Sequence, residues 1–395
     1  VTSFPLAVKK ADDETVVFKL KYPSGAFLAA VANPFNFIYS KAILDKDPKW
    51  YERNIMGSGP FKFVNHVAGA TIQATRNPNF YVEDRPYLDG YEVIFAKNAT
   101  LTEKAIRSDR GAIEFRGLPP QTRTTLERAL GPQLTVQGSD WNCVLLVTPN
   151  HKRKPLDDAR VRRALSLALD RWQGSQYLSK IAIVKTVGGI VFPGHPLAAT
   201  RQELEQIAGY WPDIKKSREE AKRLLKEAGV TELKLTMNNR AVDQPYKVVG
   251  TWVIDQWKQI GVTAEQTMLP TGPFYASLRT KKEWDVSIDF NCQSVVNPLL
   301  DVALFTSEDR TGNQHGSWVD REMDKMFQEM NRTGDVAKQR EIMRRFEKRA
   351  LDEEAHAIIT LWWYRIVPHR SYVRGWKISP SHYLNQDLAN VWLDK

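Results

Sequence analysis

The feature that most constrains the fold is an alternation of helical and extended segments in the second half of the chain. Apolar residues recur three and four positions apart in some segments and at alternate positions in others, which are the periods of helices and strands. The predicted order is a helix from Ser217 to Gly229, a strand at 233–237, a helix from about Tyr246 to Ile260, a strand at 262–269, a short helix near 274–280 and a strand at 284–290. Because strands joined by helices connect most economically through right-handed crossovers, this order predicts a mainly parallel sheet.

The segments that flank this region are also periodic. In residues 155–171 the apolar side chains form one helical stripe that begins after Asp157 or Asp158, and Arg160, Arg162 and Arg163 are expected to point mostly outward. Ser217 and Glu220 match a capping box, which would start the next helix. The end of the chain predicts two helices, at roughly 319–330 and 335–354, and an apolar strand at 357–365.

The first part of the chain predicts short antiparallel strands separated by turn residues, followed by two helices. The strands are expected at 15–21, 61–66, 71–77 and 91–96, and the helices at 102–109 and 126–131. A β-rich region, an α/β region and a returning final strand suggest two lobes around a cleft, which the length of 395 residues can support. No apolar stretch approaches the roughly 20 residues that cross a bilayer.

The formal net charge of +10 makes a nucleic acid or an anionic surface an alternative partner. The basic residues are dispersed and interleaved with acidic ones, however, which is typical of solvated helix faces. The only dense basic cluster, HKRK at 151–154, lacks interleaved aromatic residues that could stack on bases. We therefore expect no nucleic-acid partner.

The motifs of catalysis and metal binding are absent from the sequence. Its seven histidines are scattered, with no zinc-ligand spacing, and there is no phosphate-binding loop or nucleophile elbow. No motif places a nucleophile beside a base, so a hydrolase is a less favoured alternative. The sequence predicts no catalytic residue, no metal site and no cofactor. His315, in a polar loop, is expected to be solvated.

Four stretches together resemble one family. They are GSGPFKFVNHVAGATIQATRNPNFYVEDRPYLDGYEVIF at 57–95, KPLDDARVRRALSLALDR at 154–171, AKRLLKEAG at 221–229, and the segment at 316–363 that begins GSWVDREMDKMF and ends AIITLWW. Their order and sequence resemble the peptide- and nickel-class (family 5) solute-binding proteins of bacterial ABC importers. The resemblance runs over the whole chain.

The resemblance implies an α/β, two-lobe periplasmic-binding-protein-like fold of type II, cluster C, in which a hinge joins a β-rich lobe and an α/β lobe. The implied division is 1–57 as the remainder of a peripheral subdomain, 58–142 with 361–395 as lobe I, and 143–360 as lobe II. The implied protein is a monomer that captures a peptide-like or other small organic ligand by hinge closure and delivers it to an ABC permease in the inner membrane. It would be periplasmic or tethered to the cell surface. Relatives carry a further N-terminal segment that includes an export signal, and residue 1 here is expected to lie within their peripheral subdomain.

A disulfide bond is also implied. In the oligopeptide-binding branch a cysteine at the start of the α/β lobe is bonded to one in the loop after the strand that resembles WDVSIDF. Cys143 and Cys292 stand at these two positions. The alternative interpretation is a pair of buried free thiols.

The resemblance also implies ligand contacts. Relatives that bind peptides place an aspartate for the ligand's ammonium group where this chain has Ser294, and a hydroxyl cannot neutralise a buried charge. A peptide with a free amino terminus is thus less favoured than the family would suggest. Arg279 stands where relatives place an arginine for the ligand's carboxylate, whereas Ile288 replaces a second family arginine. One retained cation favours an anionic or carboxylate-bearing ligand, and a blocked or modified peptide, a sugar-acid conjugate, an aromatic acid and a metal chelate all stay open. The full predicted set of ligand contacts is Trp141, Asn142, Arg279, Asn291, Ser294 and Trp363, where Trp363 is preferred to Trp362 because alternation along a strand puts the two on opposite faces.

Overall fold

The structure is a computed structural model that describes residues 5–33, 36–280, 282–294, 297–383 and 387–395. The strands are β1 Pro5–Lys10, β2 Val16–Leu20, β3 Phe61–Val67, β4 Thr71–Arg76, β5 Gly90–Ile94, β6 Leu134–Pro149, β7 Val184–Thr186, β8 Leu233–Arg240, β9 Val262–Leu269, β10 Val286–Cys292, β11 Ile358–Arg370, β12 Val373–Arg374 and β13 Trp392–Leu393. The α-helices are α1 Phe27–Val31, α2 Lys41–Leu44, α3 Ala99–Arg107, α4 Pro120–Leu130, α5 Ala159–Leu167, α6 Arg171–Leu178, α7 Arg201–Leu204, α8 Ile214–Glu227, α9 Val248–Lys258, α10 Thr271–Arg279, α11 Leu299–Val302, α12 Arg321–Arg332 and α13 Val336–Lys348. Wider π-type turns at Asp243–Lys247 and Arg349–Glu353 precede α9 and follow α13.

The chain forms two compact units. The first contains the described residues up to Ala32 together with Asn142–Trp363, and the second contains the described residues of 33–141 and 364–395. The chain passes from one unit to the other within β6 and again within β11, so these two long strands belong partly to each. The predicted division into a peripheral remainder at 1–57, lobe I at 58–142 with 361–395, and lobe II at 143–360 stays a prediction.

The sheet of the first unit has the strand order β7-β11-β6-β10-β8-β9. The strands that helices connect, β8, β9 and β10, are parallel as predicted, with β8 paired to both of the others. The sheet as a whole is mixed, because β6 pairs antiparallel with β10, and β7 pairs antiparallel with β11. The prediction of a mainly parallel sheet is therefore correct only for the strands joined by crossover helices. At their shared carboxyl edge lie Arg240, Leu269 and Cys292.

Helix α5 carries the predicted apolar stripe, and the side chain of Asp158 caps it by accepting a hydrogen bond from the amide of Arg160. The expected outward orientation of Arg162 is wrong. This side chain is 2% exposed and donates hydrogen bonds to the carbonyl oxygens of Leu156, Asp157, Glu354 and Ala355. Burial of the cation is tolerated because backbone carbonyls replace the water that the guanidinium loses.

Helix α8 begins four residues earlier than predicted. Asp213 is its N-cap and accepts hydrogen bonds from the amides of Lys215 and Lys216, so the predicted capping box at Ser217 is wrong. Ser217 is instead buried within the helix, where its hydroxyl donates to the carbonyl oxygen of Leu167. Ser217, which could have capped the helix, instead joins α8 to the end of α5.

The second unit contains the antiparallel sheet β3-β4-β5, as the sequence predicts. Helices α3 and α4 enclose a small core of Ile106, Leu118 and Leu126, and a second cluster forms around Val373, Trp376 and Val391. Within the described ranges, no helix is long and apolar enough to cross a membrane.

Candidate ligand-binding site

The loop that follows β10 is anchored by a disulfide bond. Cys143 and Cys292 face each other in the ladder between β6 and β10, and their sulfur atoms are bonded, with 149 residues between them in sequence. This confirms the predicted pairing. The bond fixes the carboxyl end of β10, where ligands commonly bind in sheets of this kind.

Hydrogen bonds from Asn142 and Gln293 hold the same loop. The side-chain amide of Asn142, which is 3% exposed, donates to the carbonyl oxygen of Gln293. In return, the backbone amide of Gln293 donates to the carbonyl oxygen of Asn142 over 2.8 Å. The Gln293 side chain accepts from the amide of Phe192 at 2.9 Å and donates to the carbonyl oxygen of Ile190 at 2.6 Å. The predicted ligand residue Asn142 thus positions the loop, and Gln293 is a positioning residue that the sequence did not reveal.

Ser294 lies next to the carboxylate of Asp301, which was not among the predicted ligand contacts. The backbone amide of Ser294 donates to Oδ2 of Asp301 over 2.8 Å, and the Ser294 hydroxyl accepts from the amide of Asn297. Burial raises the pKa of the Asp301 carboxyl to about 6. A signal was present in the sequence, since Asp301 is the only charged residue in the apolar stretch PLLDVALF. The predicted residue Asn291 is buried on β10, and its side chain donates to the carbonyl oxygen of Asp301 over 3.5 Å.

The two tryptophans of β11 are both buried. Trp362 belongs to the main core of the first unit, as predicted, and its indole nitrogen donates to the carbonyl oxygen of Gly189. Trp363 is only 1% exposed, and its ring lies 5.9 Å from that of Tyr246 and 6.0 Å from that of Phe290. The two tryptophans therefore belong to different clusters. In the cluster of Trp363, Tyr246 and Phe290, the ring of Phe290 is more exposed than that of Trp363.

Trp141 belongs to the second unit. Its side chain is fully buried, and its indole nitrogen donates to Nδ1 of His382 over 2.9 Å. The guanidinium groups of Arg116 and Arg365 lie 5.7 and 5.6 Å from the ring. Burial, with these two charges, lowers the pKa of His382 to about 4, so the Trp141 contact is made with a neutral imidazole at neutral pH.

Arg279 ends α10 and is exposed, and its positive charge acts on both Asp289 and His315. Burial raises the pKa of Asp289 to about 6, although the positive charges of Arg240 and Arg279 act in the opposite direction. The expectation that His315 is solvated is wrong. Its side chain is 12% exposed, its Nε2 lies 3.7 Å from Oδ2 of Asp289, and burial together with the charges of Lys282 and Arg279 lowers its pKa to about 4.

Within the described ranges, no three histidine, cysteine or acidic side chains are close enough together to hold a metal ion. The predicted residues Asn142, Cys143, Asn291, Cys292 and Ser294 come together where β6 meets β10. Arg279 and Trp363 belong to the same unit, and Trp141 belongs to the other. The arrangement offers hydrogen-bond donors, an acidic group and an aromatic surface, which suit the binding of an organic solute.

Solved structures of solute-binding proteins have the same fold. The DppA periplasmic binding protein of Helicobacter pylori, in complex with the peptide STSA, matches with a TM-score of 0.84 at 19% identity, over 99% of this chain and 75% of that one. AgaA of A. tumefacien R10, in complex with agropinic acid, matches with a TM-score of 0.83 at 18% identity, over 100% of this chain and 78% of that one. These similarities define the class as two-lobe periplasmic-binding-protein-like, as predicted.

Sequence comparison identifies the family. The sequence model of "Bacterial extracellular solute-binding proteins, family 5 Middle" matches residues 2–313, and the chain belongs to this family. The dipeptide-binding protein of Escherichia coli (strain K12) is 23% identical over 388 residues, which are 94% of this chain and 69% of that protein. The resemblance to the family 5 solute-binding proteins is confirmed.

Proposed function

We propose that this chain is the solute-binding component of a bacterial ABC importer, and that it captures a peptide-like or other small, carboxylate-bearing organic ligand. The observation that carries the proposal is the family match over residues 2–313. A dipeptide-binding protein among its relatives, and fold neighbours that hold a peptide and agropinic acid, support a small organic ligand. The protein would act outside the cytoplasmic membrane as a monomer, in the periplasm or tethered to the surface, and would deliver its ligand to a permease.

The proposed ligand contacts are those predicted from the sequence, with Asp301 added. Ser294 brings no negative charge of its own, but the partly exposed carboxylate of Asp301 is hydrogen-bonded to the Ser294 backbone. A ligand's ammonium group that reached this loop would therefore meet an anion supplied seven residues further along the chain. A nearby cation would also relieve the cost of burying the carboxylate, since opposite charges favour each other's ionised form.

The experiment is a comparison of thermal midpoints with two pools of short peptides, one with free amino termini and one N-acetylated. A ligand at about 100 times its dissociation constant adds about 2.7 kcal/mol of stability, which shifts the midpoint by a few degrees. We expect the free-amine pool to stabilise more, and we expect Asp301→Asn to abolish this preference. Stabilisation by the acetylated pool alone would mean that Ser294 excludes ammonium groups. No stabilisation by either pool, nor by a pool of small organic acids, would contradict the proposed function.

A further inference from the structure

Arg240 is an arginine whose hydrogen-bonding capacity is largely unused. It is the last residue of β8, at the carboxyl edge shared by the parallel strands. Its Nη1 donates to the hydroxyl of Tyr275 over 3.0 Å, and its Nε is buried with no partner among the described residues. Its Nη2 donates to no described residue and is not among the fully buried atoms, so it remains reachable from solvent.

Arginines that serve a structural role in the same unit are bonded differently. Arg162 and Arg171 are buried and donate mainly to backbone carbonyl oxygens, several for each guanidinium. A buried donor that is left unsatisfied destabilises the fold, and more so when it carries charge. Arg240 carries this cost with a single phenol as its acceptor, which is expected where the missing partner is a ligand.

Aromatic rings hold the guanidinium in place. Its central carbon lies 4.5 Å from the ring centre of Tyr246, 5.9 Å from that of Phe290 and 6.0 Å from that of Tyr275. Tyr246 and Phe290 are in turn packed against Trp363. A guanidinium that contacts rings through its face keeps its edge for hydrogen bonds, and that edge matches a planar carboxylate. The partly exposed rings of Phe290 and Tyr275 offer an apolar surface beside it.

The charges around Arg240 favour an anion. Among the residues that the structure describes, no carboxylate is ion-paired with Arg240. The charge of Arg240 acts to lower the pKa of Asp289, which is 9% exposed and whose Oδ1 has no partner among the described residues. Asp289 also senses the charge of Arg279. The positive charges of Arg240 and Arg279 thus both act on this one buried carboxyl group.

We propose that Arg240, with the rings of Tyr246, Tyr275 and Phe290, forms a subsite for a carboxylate that is attached to an apolar or aromatic group. The subsite rests on the proposed function and adds to it, because Arg240 belongs to none of the predicted ligand contacts. Nη2 and one further N–H of the guanidinium donate to the two carboxylate oxygens, and the rings pack against the adjoining apolar group.

Benzoate and its uncharged analogue benzamide are matched probes for this subsite. Their dissociation constants are measured by isothermal titration with the unaltered chain, with Arg240→Met, and with the control Arg345→Met, which changes an exposed arginine on α13. We expect the unaltered chain and the control to prefer benzoate, and Arg240→Met to weaken benzoate binding about tenfold or more, the effect of losing one charged hydrogen bond. Benzamide binding should change little.

A second measurement needs no variant. Phenylglyoxal modifies accessible arginines, and peptide mapping of the unaltered protein should find Arg240 modified slowly in the presence of benzoate and faster in the presence of benzamide. Equal affinity for the two probes, unchanged benzoate binding by Arg240→Met, or no protection would overturn the subsite. If peptides and organic acids still raised the thermal midpoint in that case, the proposed function would stand. If they did not, both would fail.

Discussion

The carboxylate of Asp301 accepts a hydrogen bond of 2.8 Å from the backbone amide of Ser294. The contact brings an acidic group, seven residues distant in sequence, to the loop where the sequence alone offers only a hydroxyl. Asp301 is partly buried and lies on the short helix α11, which starts directly after Pro298. The chemistry of this loop therefore depends on a side chain outside the motif that identifies it.

Stability should depend on pH through Asp301. Because burial raises its pKa to about 6 in the folded state, from about 3.9 in an unfolded chain, the folded protein binds the proton more tightly. This contribution to the free energy of unfolding is largest below about pH 4 and declines as pH rises to about 6. In the unaltered chain this contribution should fall by about 2 kcal/mol between pH 4 and pH 7, and Asp301→Asn should remove that fall. Urea unfolding at a series of pH values measures it. The control is Asp255→Asn, at an exposed position. An unchanged pH profile in Asp301→Asn would show that this carboxyl is not desolvated.

Reduction of the disulfide should destabilise the chain. Closing a loop of 149 residues lowers the entropy of the unfolded state, which corresponds to about 4 to 5 kcal/mol in the chain-entropy model. Guanidinium unfolding of the Cys143→Ser, Cys292→Ser double variant should show a loss of this order. A reducing agent should lower the stability of the unaltered chain and leave that of the double variant unchanged. Equal sensitivity of the two proteins to the reducing agent would contradict the bond.

Replacement by methionine should destabilise the protein strongly at Arg162 and only slightly at Arg160, although the two residues are two positions apart on α5. Arg162→Met leaves buried carbonyl oxygens of Leu156 and Ala355 without donors, so we expect a loss of about 3 kcal/mol or more in the free energy of unfolding. Arg160 is exposed and its pair with Asp158 is a surface interaction, so Arg160→Met should change the free energy of unfolding much less than Arg162→Met does. Urea unfolding of both variants measures the difference, and equal losses would refute the structural role of Arg162.

Gln293→Ala should loosen the loop after β10. The substitution removes the acceptor for the Phe192 amide and the donor to the Ile190 carbonyl, at a cost of about 2 to 4 kcal/mol. Hydrogen exchange at the amide of Phe192 should accelerate, because that amide loses its partner. Gln328→Ala, at an exposed position on α12, is the matched control and should change neither quantity. Unchanged exchange at Phe192 in Gln293→Ala would contradict the role of the Gln293 side chain in holding this loop.

The sequence was sufficient for the features that depend on local periodicity. The strands of the antiparallel sheet, the stripe on α5 and the alternating elements from α8 to β10 were all predicted, with boundaries shifted by a few residues. The spacing of apolar residues along the sequence determines which side of a helix or strand is apolar, and the hydrophobic effect then buries that side. The family resemblance supplied the pairing of Cys143 with Cys292, which periodicity could not have given.

The errors share a physical cause, which is that polar residues are satisfied by partners far away in sequence. Arg162 looks like a surface residue until carbonyl oxygens from residues 354 and 355 come within hydrogen-bond distance. His315 looks solvated until Asp289 and the rest of the fold cover it.

Local composition thus determined which segments became helices and strands, and which sides of them were buried. Only the tertiary structure decided where the charges of Asp301 and Arg240 lie, and which donors of Arg240 have no partner among the described residues. The reason is that the electrostatic environment of a side chain is set by the residues that packing brings around it.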